Sequence, residues 1–138
     1  MRDRHASILG IEWRRLDMRD MDSVASGSVD VAFDKSGFDA MIYGSPWNPP
    51  QEVRDNTAAY LREVRISCLG RRKKLSDNKA RQVHRVLKPG GRFLCVSFRQ
   101  PHFTGPLLQQ GELSWNTELI TLGGGGFFGY YGYIMNKS

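Results

Sequence analysis

The residues that first suggest chemistry are a basic run, two cysteines, a glycine run and ionisable groups closing two apolar stretches. Arg71-Arg72-Lys73-Lys74, with Arg81 nearby, could bind phosphates through counterion release. No aromatic residue interleaves that cluster and no recognised nucleic-acid-binding motif surrounds it, so a solvated loop is the plainer reading. Cys68 and Cys95 show no close pairing and no His-rich spacing. That argues against a disulfide framework or a zinc site and for a reducing compartment, and no metal is expected. Gly123 to Gly126 lie between two late strand-like runs with no helix after them, which reads as a loop rather than a phosphate cradle. Asp17 and Lys35 each follow an apolar run; by residue type alone they are a strand-end carboxylate and a solvated lysine.

Composition narrows the class. A 138-residue chain with 40% hydrophobic and 25% charged residues has the size and balance of one compact globular domain. No window holds the roughly 18 uninterrupted apolar residues of a membrane helix. The start, from Met1 to Trp13, lacks a signal-peptide core and carries too much acid for a transit peptide, so a cytoplasmic chain is expected. The net charge of +6 is confined to one place. Residues 64–82 hold seven basic side chains and one acid, whereas the other 119 residues hold 13 of each. Basicity is a property of that segment and not of the domain.

Periodicity predicts the elements that must position these groups. Ile11 to Leu16 alternates apolar and polar residues and predicts a short strand ending at Asp17. Asp20 to Ser28 is a loop by composition. Val29 to Phe33 predicts a mostly buried strand, Phe38 to Tyr43 a helical turn, and the proline-rich Ser45 to Pro50 a loop. A helix starts at Gln51, just inside two prolines, with Val53, Thr57, Tyr60, Leu61 and Val64 on one face. The pattern lapses, recovers at Val83, Val86 and Leu87, and stops at Lys88-Pro89-Gly90-Gly91. Arg92 to Phe98 is the strongest strand, and runs near Glu112–Thr121 and Phe127–Met135 predict a closing hairpin. Four glycines between them leave its register weakly specified.

Joining Glu63 directly to Val83 makes the apolar stripe continuous up to the Pro-Gly-Gly turn. Residues 64–82 therefore interrupt a helix that is coherent without them. One reading is a basic surface insertion, which loop-closure entropy tolerates. The other is a translated intron: Val64 requires a GTN codon, Gln82 is compatible with CAG, and Ser76-Asp77 with a branch-site-like CTGAC.

The order of these pieces is familiar. Ile11-Glu12-Trp13 through Asp17-Met18, Ser28 to Val31, Asp34-Lys35-Ser36-Gly37-Phe38-Asp39-Ala40, Arg85 to Phe93 and Gln100-Pro101-His102-Phe103 follow one another, with Arg4-His5 ahead of them. The chain resembles the C-terminal part of a class I, seven-stranded S-adenosylmethionine-dependent methyltransferase. It is most similar to the elongation factor 1-alpha lysine methyltransferase group, related to the endothelin-converting enzyme 2 methyltransferase. The Leu-Lys-Pro-Gly-Gly turn marks only the superfamily; the Asp-Lys-x-x-x-Asp-Ala and Gln-Pro-His-Phe segments make the likeness more specific. The resemblance implies an α/β fold, strands 3 to 7 of a Rossmann-like sheet of order 3-2-1-4-5-7-6, over residues 1–138. It also implies S-adenosylmethionine as cofactor and a protein lysine as acceptor, in translation elongation factor 1-alpha for the closest group.

That family cradles its cofactor on a Gly-rich turn after the first strand. No GxG follows a strand here, so the expectation is a truncated domain without the family's N-terminal half and of doubtful activity. The resemblance places Asp17 and Met18 beside the adenine, Asp17 accepting from its amine, and Lys35 near the cofactor or the acceptor amine. The catalytic residue is left open. Asp34 and Asp39 could help keep an acceptor lysine neutral, and Trp47 or Trp115 could line its channel, although Trp more often anchors a core or loop. His102 could act as a base, but no partner is identifiable and a loop histidine reads better. Without strands 1 and 2, Ile11–Leu16 should either pair with Val29–Phe33 or pack poorly, and the latter strand should expose an apolar edge. A folded chain is expected to be a monomer. The alternatives are a small basic nucleic-acid-binding protein using residues 71–81 and a non-catalytic methyltransferase-like fragment.

Overall fold

A computed structural model describes residues 10–61, 82–110, 115–123 and 129–138. The element order is β1 (Val29–Lys35), α1 (Gly37–Ala40), α2 (Gln51–Leu61), α3 (Gln82–Val86), β2 (Leu87–Ser97), α4 (Pro101–Leu108), β3 (Trp115–Leu122) and β4 (Tyr130–Lys137). Arg4-His5, the basic run and most of the 64–82 interruption lie outside the described residues.

The four strands form one mixed sheet of order β1-β2-β4-β3. β1 and β2 are parallel, and β4 runs antiparallel to both β2 and β3. Every position from Trp115 to Leu122 pairs in step with β4, so the hairpin register is regular despite its glycine-rich connection. The order is that of strands 4-5-7-6 in the resembled fold. Strand 3 is the correction. Ile11 to Leu16 forms no strand, and Ile11, Trp13 and Leu16 are exposed. Its alternation is a strand pattern, but a strand needs a partner to satisfy its backbone, and Ile11–Leu16 does not pair with the open edge of β1.

β2 forms the spine. Leu87, Phe93, Cys95 and Ser97 point to one face and are buried there with Tyr133 and Met135 of β4. Phe38 of α1, Val53, Tyr60 and Leu61 of α2, Val83 of α3, and Leu107 and Leu108 of α4 close over that face. The predicted helix stripe is thus the core. The Pro-Gly-Gly turn does not precede β2 as expected but lies inside it as a bulge: two steps along β1, Val29 to Val31, face five along β2, Leu87 to Arg92. Gly90 adopts φ +73°, and a Cβ on Gly91 would lie 2.8 Å from the Lys88 carbonyl oxygen, so the bulge needs both glycines.

β1 is not the mostly buried strand its composition predicts, but it does show the exposed apolar edge expected where Ile11–Leu16 fails to pair with it. It is an edge strand, and only Asp34 on it is buried; Val31 is 51% and Phe33 66% exposed. Parallel strands are ordinarily covered on both faces, which is why the apolar run reads as buried. Here the described helices pack on the other face. Phe33→Lys is expected to change the unfolding free energy by no more than about 0.5 kcal/mol, since little burial is lost. It should also reduce self-association, because a charge on an open edge blocks strand pairing. Sedimentation velocity over a concentration series reads this out; an unchanged concentration dependence would clear β1 of blame.

Candidate functional site

The C-terminal ends of β1 and β2 bring together Asp34, Lys35, Asp39 and Arg99. Asp34 turns inward at the end of β1. Its carboxylate accepts from the backbone N–H of Gly37 (2.7 Å) and Phe38 (2.9 Å) and from the hydroxyl of Tyr60 (2.9 Å). Burial, with the Asp34 charge second, pushes the Tyr60 phenol far upward, so it stays a donor. Asp39, on α1, accepts from Ser97 Oγ (2.6 Å) and the Phe98 N–H (3.2 Å), with Arg99 Nε 3.8 Å away. Arg99 itself donates to the Ile42 carbonyl at 2.7 Å. Both carboxylates are therefore buried anchors that fasten α1 to the strand ends. That corrects the expectation that they serve an acceptor amine: their oxygens face protein donors.

The anchoring shapes the loop between them. Ser36 takes a left-handed φ of 67°, and Gly37 follows in a space with no room for a side chain. A Cβ there would stand 2.8 Å from both Asp34 Oδ1 and Met18 Cε. Met18 thus lies against the β1–α1 turn, partly buried on the core. Asp17 opens a tight turn bridged to Asp20 and is half-exposed. Arg19 donates to it from Nε (3.0 Å), Nη2 (2.8 Å) and its backbone N–H (2.9 Å). The same guanidinium reaches Asn56 Oδ1 on α2 at 3.0 Å. These bonds hold the Asp17 carboxyl at about 2, so it is ionised throughout the neutral range. Lys35 is exposed, with its Nζ 5.7 Å from the Tyr130 ring centroid. Met18 thus lies at the same end of the sheet as Lys35, with Asp17 next to it in sequence.

The remaining candidates separate. Trp115 packs edge-on against His84 (5.0 Å between centroids) and near Phe93 (6.4 Å), beside Lys137 pairing at the opposite end of the sheet. It is a core anchor and lines no channel at the β1 end. Trp47 is 79% exposed and stands edge-to-face with Phe103 at 4.9 Å. His102 is not in a loop, as expected, but in the first turn of α4, 5.8 Å from Trp47. Pro101 at the helix start was the available signal, masked by Gly105 and Pro106 inside so short a helix. Trp47, Phe103 and Leu107, with Pro46, Pro49 and Pro106, enclose a pocket of about 200 Å³ into which Arg54, His102 and Gln110 also face.

Sequence reasoning missed Arg85. Its Nη1 donates to the Val24 carbonyl (2.7 Å) and Ser26 Oγ (3.1 Å), and its Nη2 to the Met21 carbonyl (2.7 Å). The loop that follows the Met18 turn is hung on this one guanidinium. The Arg-Val-Leu-Lys-Pro-Gly-Gly segment flags the residue but not its target about sixty positions earlier. Burial pushes the Cys95 thiol well upward, which removes it as a nucleophile. No group of three or more potential metal ligands occurs among the described residues. No helix there is long and apolar enough to cross a membrane.

No family model matches the chain. It is similar to EEF1A lysine methyltransferase 4 of Mus musculus, 31% identical over 139 residues, which covers 99% of this chain and 46% of that protein. Against EEF1A lysine methyltransferase 4 of Bos taurus the identity is 30% with the same coverage. The chain spans about half the length of the curated relatives it matches.

Proposed function

The chain is homologous to one part of EEF1A lysine methyltransferase 4, and from that premise we propose that it is the acceptor-side portion of an S-adenosylmethionine-dependent protein-lysine methyltransferase. The observation that carries the reading is the sheet order β1-β2-β4-β3, which repeats the 4-5-7-6 half of the seven-stranded order, antiparallel strand included. The acceptor we propose is a lysine of EEF1A, the protein in the relatives' name, met by a monomer in the cytoplasm.

In this reading Asp17 accepts from the adenine amine, Met18 flanks the ring, and Lys35 stands near the cofactor or the acceptor amine. The fit is that of one wall. Gly37 lets Met18 lie against the end of β1, and Arg19 keeps Asp17 ionised as an acceptor. The exposed Asp17–Arg19 pair exchanges partners at little cost, so an incoming amine can share the carboxylate. No Gly-rich strand-turn-helix is found among the described residues, so this wall lacks its counterpart there. S-adenosylmethionine, when bound, supplies a methyl on a sulfonium. Its transfer is an in-line displacement that disperses positive charge, and positioning carries most of the rate. Asp34 and Asp39 contribute by holding Lys35 and the β1–α1 turn in place, with no proton transfer of their own.

Calorimetry of the chain with S-adenosylmethionine tests this. Binding is expected in the millimolar range, about −4 kcal/mol. Asp17→Ala should weaken it about tenfold, as expected for loss of a charge-assisted hydrogen bond. No heat at millimolar ligand with a chain that melts cooperatively would leave common ancestry and remove the cofactor site.

A further inference from the structure

The pocket between the Pro46–Pro50 loop and α4 has no part in the cofactor wall. We propose that it docks an extended, proline-bearing, acidic segment of a protein partner, the partner being the acceptor if the methyltransferase reading above holds. Its volume, about 200 Å³, suits one ring-sized group, since an apolar cavity of roughly 150 Å³ accommodates benzene. Trp47 supplies an aromatic surface that is 79% exposed yet braced, standing at 84° to Phe103. Exposed, buttressed tryptophans are typical binding anchors because they lose little freedom when a partner arrives. The prolines at the rim stiffen it further. No acceptor for the Trp47 indole N–H occurs among the described residues. A polyproline II segment offers what this corner lacks: rings to stack and carbonyls with no internal partner.

Charge decides between this ligand and the other guest of aromatic corners, a methylated ammonium. Arg54 is the one Lys, Arg, Asp or Glu in the lining. It is held at the rim through Nε to the Pro49 carbonyl (3.2 Å) and Nη2 to Asn48 Oδ1 (3.1 Å), which leaves Nη1 with no partner among the described residues. A fixed cation at this range repels an ammonium and attracts a carboxylate. The location fits an acceptor. The pocket is built from the connections that leave β1 and β2 at the same end of the sheet as Lys35.

Fluorescence polarisation with a labelled peptide of four Pro-Pro-Glu repeats, the intact chain and no cofactor tests the proposal. Pro-Pro-Glu should bind at least tenfold more tightly than Gly-Ser-Glu or Pro-Pro-Lys repeats of equal length. Trp47→Ala should cost at least tenfold, and Arg54→Glu should shift preference toward Pro-Pro-Lys; both side chains are exposed enough for the fold, checked by circular dichroism, to persist. Equal affinity for the Pro-Pro-Glu and Gly-Ser-Glu peptides, or insensitivity to both substitutions, overturns the proposal, as does failure to bind any peptide. The cofactor titration separates the two readings. Peptide selectivity without cofactor binding supports the pocket and removes the methyltransferase role; cofactor binding without peptide selectivity does the reverse.

Discussion

Asp34→Ala is expected to lower the unfolding free energy by about 3–5 kcal/mol, the largest effect of any single side chain at the strand ends. The carboxylate answers three donors: the Gly37 and Phe38 N–H groups and the Tyr60 hydroxyl. Alanine leaves all three without an acceptor, and each unsatisfied buried donor costs roughly 1–3 kcal/mol. The Gly37 amide is only part-buried and water can reach it, which keeps the total below the upper sum. For a chain of this length the shift in Tm is on the order of 10–15 °C. Two companions isolate the cause. Tyr60→Phe removes one donor together with its bond and should cost about 1 kcal/mol. Asp34→Asn keeps one acceptor oxygen and should fall between. Urea unfolding followed by circular dichroism measures all three. An alanine variant no less stable than Tyr60→Phe would mean that Asp34 is not the anchor of this turn.

Arg85→Ala is expected to cost about 2–4 kcal/mol and to loosen the segment from Met21 to Gly27. Hydrogen bonds from a charged donor contribute about 1.5–3 kcal/mol each, and one guanidinium serves two carbonyls and a hydroxyl here. The main chain offers some compensation, because the Gly27 and Ser28 N–H groups bond to the Arg85 and Val86 carbonyls whatever the side chain is. Arg85→Lys should recover only part of the loss. A point-like ammonium cannot span the Met21 and Val24 carbonyls with the fixed fork of a guanidinium. Amide hydrogen exchange gives the local readout: protection at Gly27 and Ser28 should fall in the alanine variant while protection in β4 stays unchanged. Full protection with lysine in place would show that charge, not the fork, holds the loop. The same variant bears on cofactor affinity, since the loop leads directly from the Met18 turn.

Family resemblance, rather than periodicity, singled out Asp17, Met18 and Lys35. Nothing local connects a turn at residue 17 with the end of a strand at residue 35. The approach of Met18 to the turn after β1 depends on Gly37 leaving space for it, a proximity visible only once the chain is folded. Asp34 and Asp39 show the converse. In sequence they are two acids flanking a Lys-Ser-Gly-Phe stretch, equally suited to solvent, to an amine or to a cap. Burial behind Tyr60 and Ser97 makes them anchors. Trp47 and Trp115 are also alike in sequence; one is exposed at a pocket and the other stands edge-on to His84.

Short-range repetition along the chain specifies a limited set of features. The face of α2, the alternation of β2, the pairing of β3 with β4 and the confinement of the net charge to one segment are each properties of neighbouring residues. Which of those patterns are used depends on long-range packing. Ile11–Leu16 carries the alternation of a strand but remains exposed, because backbone hydrogen bonds in a sheet come from another strand. Val29–Phe33 has the composition of a buried parallel strand but lies at an edge, because burial requires a layer on each face and the described helices cover one. Local pattern sets what a segment can become, and the neighbours that satisfy its backbone and cover its side chains set what it is.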